Sequence, residues 1–105
     1  MAFKITLSDD SKASLRKTFV YILYELRDGF AANNLYADVK NTLALISYNA
    51  EAHAFCEDKD LSARGIRKIH LKKHKYKFFY HITSDSEVWI DAFLHDKQDF
   101  ETILK

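Results

Sequence analysis

The sequence predicts an α+β fold with the element order β-α-α-β-β-β-α, in which an antiparallel helical hairpin packs on one face of an antiparallel sheet. Three observations lead to this prediction. Two apolar stripes recur at helical spacing in the first half of the chain, and an alternating pattern with a period of two begins at Ile66. No proline, repeat or low-complexity segment interrupts the 105 residues, so we expect a single domain over residues 1–105.

The N-terminal half predicts a short strand followed by the helical hairpin. Residues 3–7 alternate apolar and polar, and Ser8 to Ser11 offer N-cap candidates for the first helix. Gly29 is expected to end that helix, and the short connection to the next stripe predicts an antiparallel pair. The stripes are Leu15, Phe19, Ile22 (or Leu23) and Leu26 in the first helix, and Leu35, Val39, Leu43 and Ile46 in the second.

The C-terminal half predicts a three-stranded meander. Residues 49–64 are polar and are expected to form a loop, with at most a turn of helix. Two short polar segments then separate three alternating runs, which is typical of β-hairpins. The predicted strands are 66–72, 76–83 and 87–94, and a brief amphipathic helix is expected over residues 96–104.

Positive charge is concentrated in one part of the chain. Leu61 to Ser84 contains seven Lys or Arg and no Asp or Glu, whereas the rest holds nine basic and fifteen acidic residues. The net charge of +1 therefore conceals a segment of +7 and a remainder of −6. Such segregation predicts a local positive potential that would attract an anionic partner.

Strand alternation predicts which side chains point away from the hairpin. Successive strand residues face opposite sides, and the more uniformly apolar sets, such as Val88, Ile90, Ala92 and Leu94, should meet the helices. The open face then combines cations, histidines and aromatic rings, as surfaces that bind single-stranded nucleic acid do. Its expected members are Lys68, His70, Lys72, Lys77, Phe79, His81, Trp89, Asp91, Phe93 and His95.

Three segments together resemble the C-terminal half of RelE/ParE toxins. They are Arg64-Gly65-Ile66-Arg67-Lys68-Ile69, then Tyr76-Lys77-Phe78-Phe79-Tyr80-His81-Ile82, then Val88-Trp89-Ile90-Asp91-Ala92-Phe93-Leu94-His95-Asp96-Lys97-Gln98-Asp99-Phe100. The resemblance implies a helical hairpin on an antiparallel sheet with an open concave face. It also implies an antitoxin partner whose extended segment wraps the toxin.

The resemblance also implies roles for individual residues. His95 matches a histidine that some nuclease members use as acid or base, and Lys68 and Lys72 fall in the strand where RelE-like members place phosphate-binding lysines. Lys77 replaces the family's usual arginine, and a lysine lacks the bidentate fork of arginine. Phe100 stands where other members have an aromatic residue, sometimes a tyrosine, and could only stack. The expected catalytic residues are His95, Lys77 and Lys72, and the expected nucleic-acid-binding residues are Lys68, Lys72, Lys77, His81, Lys97 and Phe100.

Two activities occur among the proteins that the chain resembles. RelE-like members cleave messenger RNA on the ribosome without a metal, and this activity is favoured here because of the basic face and His95. ParE-like members instead inhibit DNA gyrase, and a third alternative is a degenerate member that only binds its antitoxin and represses their operon. No cofactor is expected. The partners are the antitoxin, in a hetero-oligomer, with ribosome and mRNA or else gyrase.

The sequence also predicts a cytoplasmic protein with no membrane association. No apolar run approaches the roughly 20 residues that span a bilayer, and the N-terminus does not resemble a signal peptide. Cys56 is the single cysteine, which fits a reducing compartment.

Overall fold

The structure is a computed structural model and describes residues 2–98. It contains four strands, three α-helices and one π-helical segment, which confirms the predicted α+β class within that range. In chain order these are β1 (Lys4–Leu7), α1 (Asp9–Val20), the π-helical segment (Tyr21–Glu25), α2 (Gly29–Asn49), α3 (Lys59–Ala63), β2 (Arg67–His70), β3 (Tyr76–Ser84) and β4 (Glu87–His95).

The two long helices form the predicted hairpin, but Gly29 does not end the first of them. The chain reverses at Arg27, whose φ of 51° lies in the left-handed region, and Asp28 then caps α2 by accepting a hydrogen bond of 2.9 Å from the Ala31 N–H. Because this carboxylate provides an acceptor for an N–H of the first helical turn, α2 starts immediately after the chain reversal. Gly29 is therefore the first residue of α2.

The four strands form one sheet in the order β1-β4-β3-β2. The pairs β2–β3 and β3–β4 are antiparallel, so the predicted meander is confirmed, whereas β1 lies parallel to β4 with Ile5 opposite Val88. The sheet is consequently mixed. On its other side β1 is held by α2, because the Phe3 N–H donates to the Ser47 carbonyl at 2.8 Å.

A β-bulge at Asp91 changes the faces of β4. Tyr80 pairs with Ile90, and the preceding residue Phe79 pairs with Ala92, so Asp91 is the extra residue between them. Ser8, the N-cap of α1, holds the bulge in place with a backbone N–H on the Ile90 carbonyl (3.0 Å) and its hydroxyl on the Asp91 carbonyl (3.2 Å). The face prediction for β4 is therefore right before Asp91 and wrong after it.

The bulge divides the apolar side chains between two cores. The first lies between the hairpin and the sheet and contains Leu35, Val39, Ile46, Phe78, Tyr80, Val88, Ile90 and Phe93. The second lies on the opposite face of the sheet and contains Cys56, Leu61, Ile66, Phe79, Ala92 and Leu94. Ala92 and Leu94 thus sit on the face that was predicted to be open, and Phe93 sits under the helices.

The segment between α2 and β2 covers part of that face. It was predicted as a loop with at most a helical turn, and it contains the five-residue helix α3, capped by Asp58 on the Leu61 N–H at 3.0 Å. Leu61 packs in the second core, so the expected open concave surface is partly filled. The predicted C-terminal helix over 96–104 lies largely outside the described residues; within them, residues 96–97 form a turn.

None of the helices within residues 2–98 is both long and apolar enough to cross a membrane.

Candidate functional site

The sheet face turned away from the hairpin, called the distal face here, carries part of the predicted site. Strand pairing places Lys68 beside Phe79, His70 beside Lys77, and His81 beside Trp89 on this face. Four of the side chains expected there are cations or histidines and are correctly placed: Lys68, His70, Lys77 and His81. The second core occupies the middle of the face, so these groups surround it and do not form one continuous patch.

Lys77 is engaged within the protein. Its side chain is only 9% exposed, and its Nζ donates to the Asp96 carbonyl at 3.2 Å and lies 5.6 Å from the ring centroid of Phe79. The Asp96 carboxylate in turn lies 3.0 Å from His70 Nδ1. Lys77 therefore tethers the turn that follows β4, and its charge is partly shielded from solvent.

His95 lies on the hairpin side of the sheet. It pairs with Tyr76, the two ring centroids are 5.2 Å apart, and Tyr76 stacks on Phe93 of the first core. The prediction that His95 shares a face with Lys68 and Lys77 is wrong, because the bulge at Asp91 shifts the alternation by one residue. His95 borders a cavity of about 330 Å³ against α1, and its Nδ1 accepts a hydrogen bond from the Lys97 N–H at 3.1 Å.

Lys72 is separated from both of these groups. Strand β2 ends at His70, two residues earlier than predicted, and Lys72 lies in the following loop beside α2. The loop leaves the sheet because Asp38 of α2 binds it: Asp38 accepts hydrogen bonds from the Lys73 N–H (2.9 Å) and His74 Nδ1 (2.7 Å). Burial alone would raise the pKa of Asp38 and is the largest single effect, but these hydrogen bonds together with the charge of His74 outweigh it and leave that pKa lowered.

A histidine–aspartate pair lies at the bulge. His81 Nδ1 is 2.8 Å from Asp91 Oδ2, and the half-exposed Trp89 lies opposite His81 in the strand register. Burial raises the pKa of Asp91, and His81 and Arg64 oppose this shift without cancelling it. Because an ionised carboxylate can only accept, Nδ1 of His81 donates to it.

Three predicted nucleic-acid-binding residues remain: Lys68, Lys97 and Phe100. Lys97 is exposed in the turn after β4, and Phe100 lies outside the described residues. Lys68 is half-buried, and its backbone N–H donates to the Ala54 carbonyl at 3.1 Å. The structure thus brings Lys68, Lys77 and His81 to one face, and it does not bring His95, Lys77 and Lys72 together.

One exposed apolar surface departs from the predicted stripes. Large hydrophobic side chains are exposed around the turn between the two long helices, although Leu26 belongs to the apolar stripe predicted for the first helix. The π-helical segment accounts for the exposure of Tyr21, Leu23 and Tyr24, because its extra residue per turn rotates these side chains away from the α-helical stripe. This hairpin-tip surface comprises Val20, Tyr21, Leu23, Tyr24, Leu26, Phe30 and Tyr36.

A second unanticipated feature is the buried polar pair on α2. Asp38 is 5% exposed and Thr42 is buried beside it, with the Thr42 hydroxyl donating to the Asp38 carbonyl at 2.8 Å. The signal in the sequence was the polar spacing Asn34, Asp38, Asn41, Thr42, which follows one helical face next to the apolar stripe. Among residues 2–98, no three His, Cys, Asp or Glu side chains are grouped closely enough to hold a metal ion.

Comparison with known proteins identifies the family. A family model described as the ParE toxin of the type II toxin–antitoxin system parDE matches residues 5–100. Since this match spans most of the chain, the protein belongs to the ParE toxin family, within the RelE/ParE superfamily that the sequence resembles. A search of curated proteins found no match.

A solved structure shares the fold. It is described as a chromosomal ParDE TA system from P. aeruginosa, and it superimposes with a TM-score of 0.71 over 90% of this chain and 96% of that one. The two sequences are 13% identical, so the likeness concerns the fold alone.

Proposed function

We propose that this toxin acts by binding DNA gyrase and blocking its reaction, and not by cleaving messenger RNA. The sequence favours the nuclease and gives gyrase inhibition as the alternative. The geometry of the site reverses that order. The observation that carries the proposal is the placement of His95 on the hairpin side of the sheet, Lys77 on the distal face and Lys72 in the loop beside α2.

Cleavage of RNA without a metal requires several groups around one phosphate. A base must take the proton of the 2′-hydroxyl, an acid must protonate the leaving 5′-oxygen, and a cation must stabilise the phosphorane. These groups must be held within hydrogen-bonding distance of the reacting atoms. His95 lies on the hairpin side of the sheet, whereas Lys77 lies on the distal face and donates to a carbonyl. The two side chains therefore lie on opposite faces of the sheet, and this arrangement argues against their acting on one phosphate.

The hairpin-tip surface supports a function in protein binding. Exposed clusters of large apolar side chains on soluble proteins commonly mark interaction sites. Here seven such side chains, three of them tyrosines, lie within the 17 residues from Val20 to Tyr36. Tyrosine is among the residues enriched at interfaces, because its ring buries apolar area while its hydroxyl remains hydrogen-bonded.

Membership of a type II toxin–antitoxin family also supports a cognate antitoxin as a second partner. We expect the two proteins to form a hetero-oligomer in which the toxin is inactive.

Brief induction of the toxin in cells tests the proposal. DNA-damage signalling should rise while primer extension on abundant messages shows no new 5′ ends, and His95→Ala should remain toxic. Discrete cuts within translated codons that disappear in His95→Ala would instead establish the nuclease. Coexpression of the antitoxin is the control, since it should suppress the response of both forms.

A further inference from the structure

A polar stripe on α2 forms one wall of a cavity of about 600 Å³. The stripe follows positions 34, 37, 38, 41, 42 and 45, the spacing of a single helical face. Asn34 and Asn41 are seven residues apart, which separates their amides by roughly 10 Å along the helix axis. Ala37 and Leu45 add apolar surface to this wall.

The loop between β2 and β3 forms the opposite wall. Lys72, Lys73 and His74 all border the cavity, and Asp38 fixes the loop through its contacts with the Lys73 N–H and the His74 ring. The Asp38 carboxylate is thereby satisfied within the protein. The ammonium groups of Lys72 and Lys73, by contrast, have no hydrogen-bond or ion-pair partner among residues 2–98.

We propose that this cavity binds a small phosphorylated ligand of nucleotide size. Lys72 and Lys73 bind the phosphate, His74 borders the same end, and the Asn34 and Asn41 amides hydrogen-bond the remainder of the ligand against Ala37 and Leu45. The proposal concerns a different surface from the hairpin tip and does not rest on gyrase as the target.

Size and composition favour this class of ligand. Pockets for small molecules commonly enclose about 300–1,000 Å³ and combine apolar lining with a few placed polar groups. A free phosphate ion would leave most of the cavity unfilled. The cations of the lining lie on the loop wall, and the amides lie on the helix wall. This arrangement fits a molecule that has an anionic group at one end and uncharged hydrogen-bonding groups at the other.

An acidic peptide is the competing occupant, because lysines bind carboxylates as well as phosphates. Such a peptide carries several anionic groups, whereas the wall formed by α2 offers the uncharged amides of Asn34 and Asn41. The nucleotide-sized ligand is therefore favoured.

Isothermal titration of the full chain with ADP, AMP, adenosine and inorganic phosphate tests the proposal. ADP and AMP should bind one saturable site, and adenosine should not, because it lacks the phosphate. Combined replacement Lys72→Ala and Lys73→Ala should raise the Kd for ADP by about tenfold or more. Asn41→Ala should weaken ADP more than it weakens inorganic phosphate.

Lys75→Ala is the matched control, since Lys75 belongs to the same loop and is not among the residues that line the cavity. It should change the Kd by less than about twofold. Absence of ADP and AMP binding overturns the proposal, as does equal weakening by Lys75→Ala. Equal affinity for inorganic phosphate and ADP indicates an unspecific anion site, and binding of polyglutamate in place of ADP indicates a peptide site; both contradict it.

Discussion

At the scale of single residues, Tyr80 links the two halves of the fold. Its ring is fully buried in the first core, and its hydroxyl donates to the Ala50 carbonyl at the end of α2 at 2.7 Å. Burial raises the pKa of Tyr80 to about 12, and the charge of Arg67 opposes that shift without cancelling it.

This raised pKa predicts how stability depends on alkaline pH. Tyr80 favours the folded state fully below the ordinary value near 10, and its contribution is lost as the pH rises from there through about 12. The free energy of unfolding should therefore fall by about 2–3 kcal/mol across that interval. Tyr80→Phe should remove much of this decline and cost about 1–2 kcal/mol at neutral pH, since the Ala50 carbonyl loses its partner. Urea denaturation between neutral pH and pH 12 measures both effects, and an unchanged alkaline decline in Tyr80→Phe would contradict the assignment.

The lowered pKa of Asp38 predicts that the protein loses stability at acidic pH. Because its pKa is lowered in the folded state, it stabilises the protein above its ordinary value of 3.8 and loses this effect as the pH falls through the lower, folded value. Asp38→Ala should cost about 1–3 kcal/mol at neutral pH, because the His74 ring and the Lys73 N–H lose their acceptor. Thermal unfolding as a function of pH should show a smaller acid dependence in this variant than in the wild type. Equal acid dependence in the two proteins would mean that Asp38 does not act in this way.

At the scale of elements, the junction between α1 and the bulge in β4 decides which side chains reach each face. Ser8 performs two functions there, as N-cap of α1 and as donor to the carbonyl of Asp91. Ser8→Ala should therefore lower the free energy of unfolding by about 1–2 kcal/mol, more than an exposed cap would. Ser14→Ala, within α1, should have little effect, because alanine is the better helix former. Chemical denaturation distinguishes the two; similar losses in both variants would show that the bulge does not depend on Ser8.

The hairpin-tip surface, formed by the ends of two helical elements, should bind the target protein. If gyrase is the target, Tyr24→Ser should weaken inhibition of gyrase, because Tyr24 is 68% exposed at the tip and its loss removes apolar contact area. Tyr48→Ser is a matched control, since Tyr48 is 70% exposed near the other end of α2. Both variants should keep the wild-type melting temperature. Equal loss of inhibition in the two variants, or none in either, would place the contact elsewhere.

At the scale of the whole molecule, much of the fold follows from local patterns in the sequence. The apolar stripes of the hairpin and the three alternating strands are periodic signals, and the structure confirms them within residues 2–98, except that Leu26 at the end of the first stripe is exposed. The parallel pairing of β1 with β4 was not predictable, because it depends on contacts between residues more than 80 positions apart, such as Ile5 and Val88.

The candidate site was less predictable than the fold. One extra residue, Asp91, reverses the alternation of the rest of β4, and nothing in its immediate sequence distinguishes it from a regular strand residue. The position of Lys72 likewise depends on Asp38, a residue of another element. Both differences from the prediction bear on catalysis. The bulge places His95 on the other face of the sheet from Lys77, and the contact with Asp38 draws the loop of Lys72 away from the sheet.

Supercoiling of relaxed plasmid by purified gyrase, with increasing amounts of purified toxin, tests the proposed mode of action most directly. The toxin should inhibit supercoiling in proportion to its concentration, His95→Ala should inhibit equally, and added antitoxin should restore the reaction. Unimpaired supercoiling at toxin concentrations that cleave ribosome-bound messenger RNA would contradict the proposal. In that case His95, Lys77 and Lys72 would have to be brought together by a rearrangement of β4 and the loop before β3.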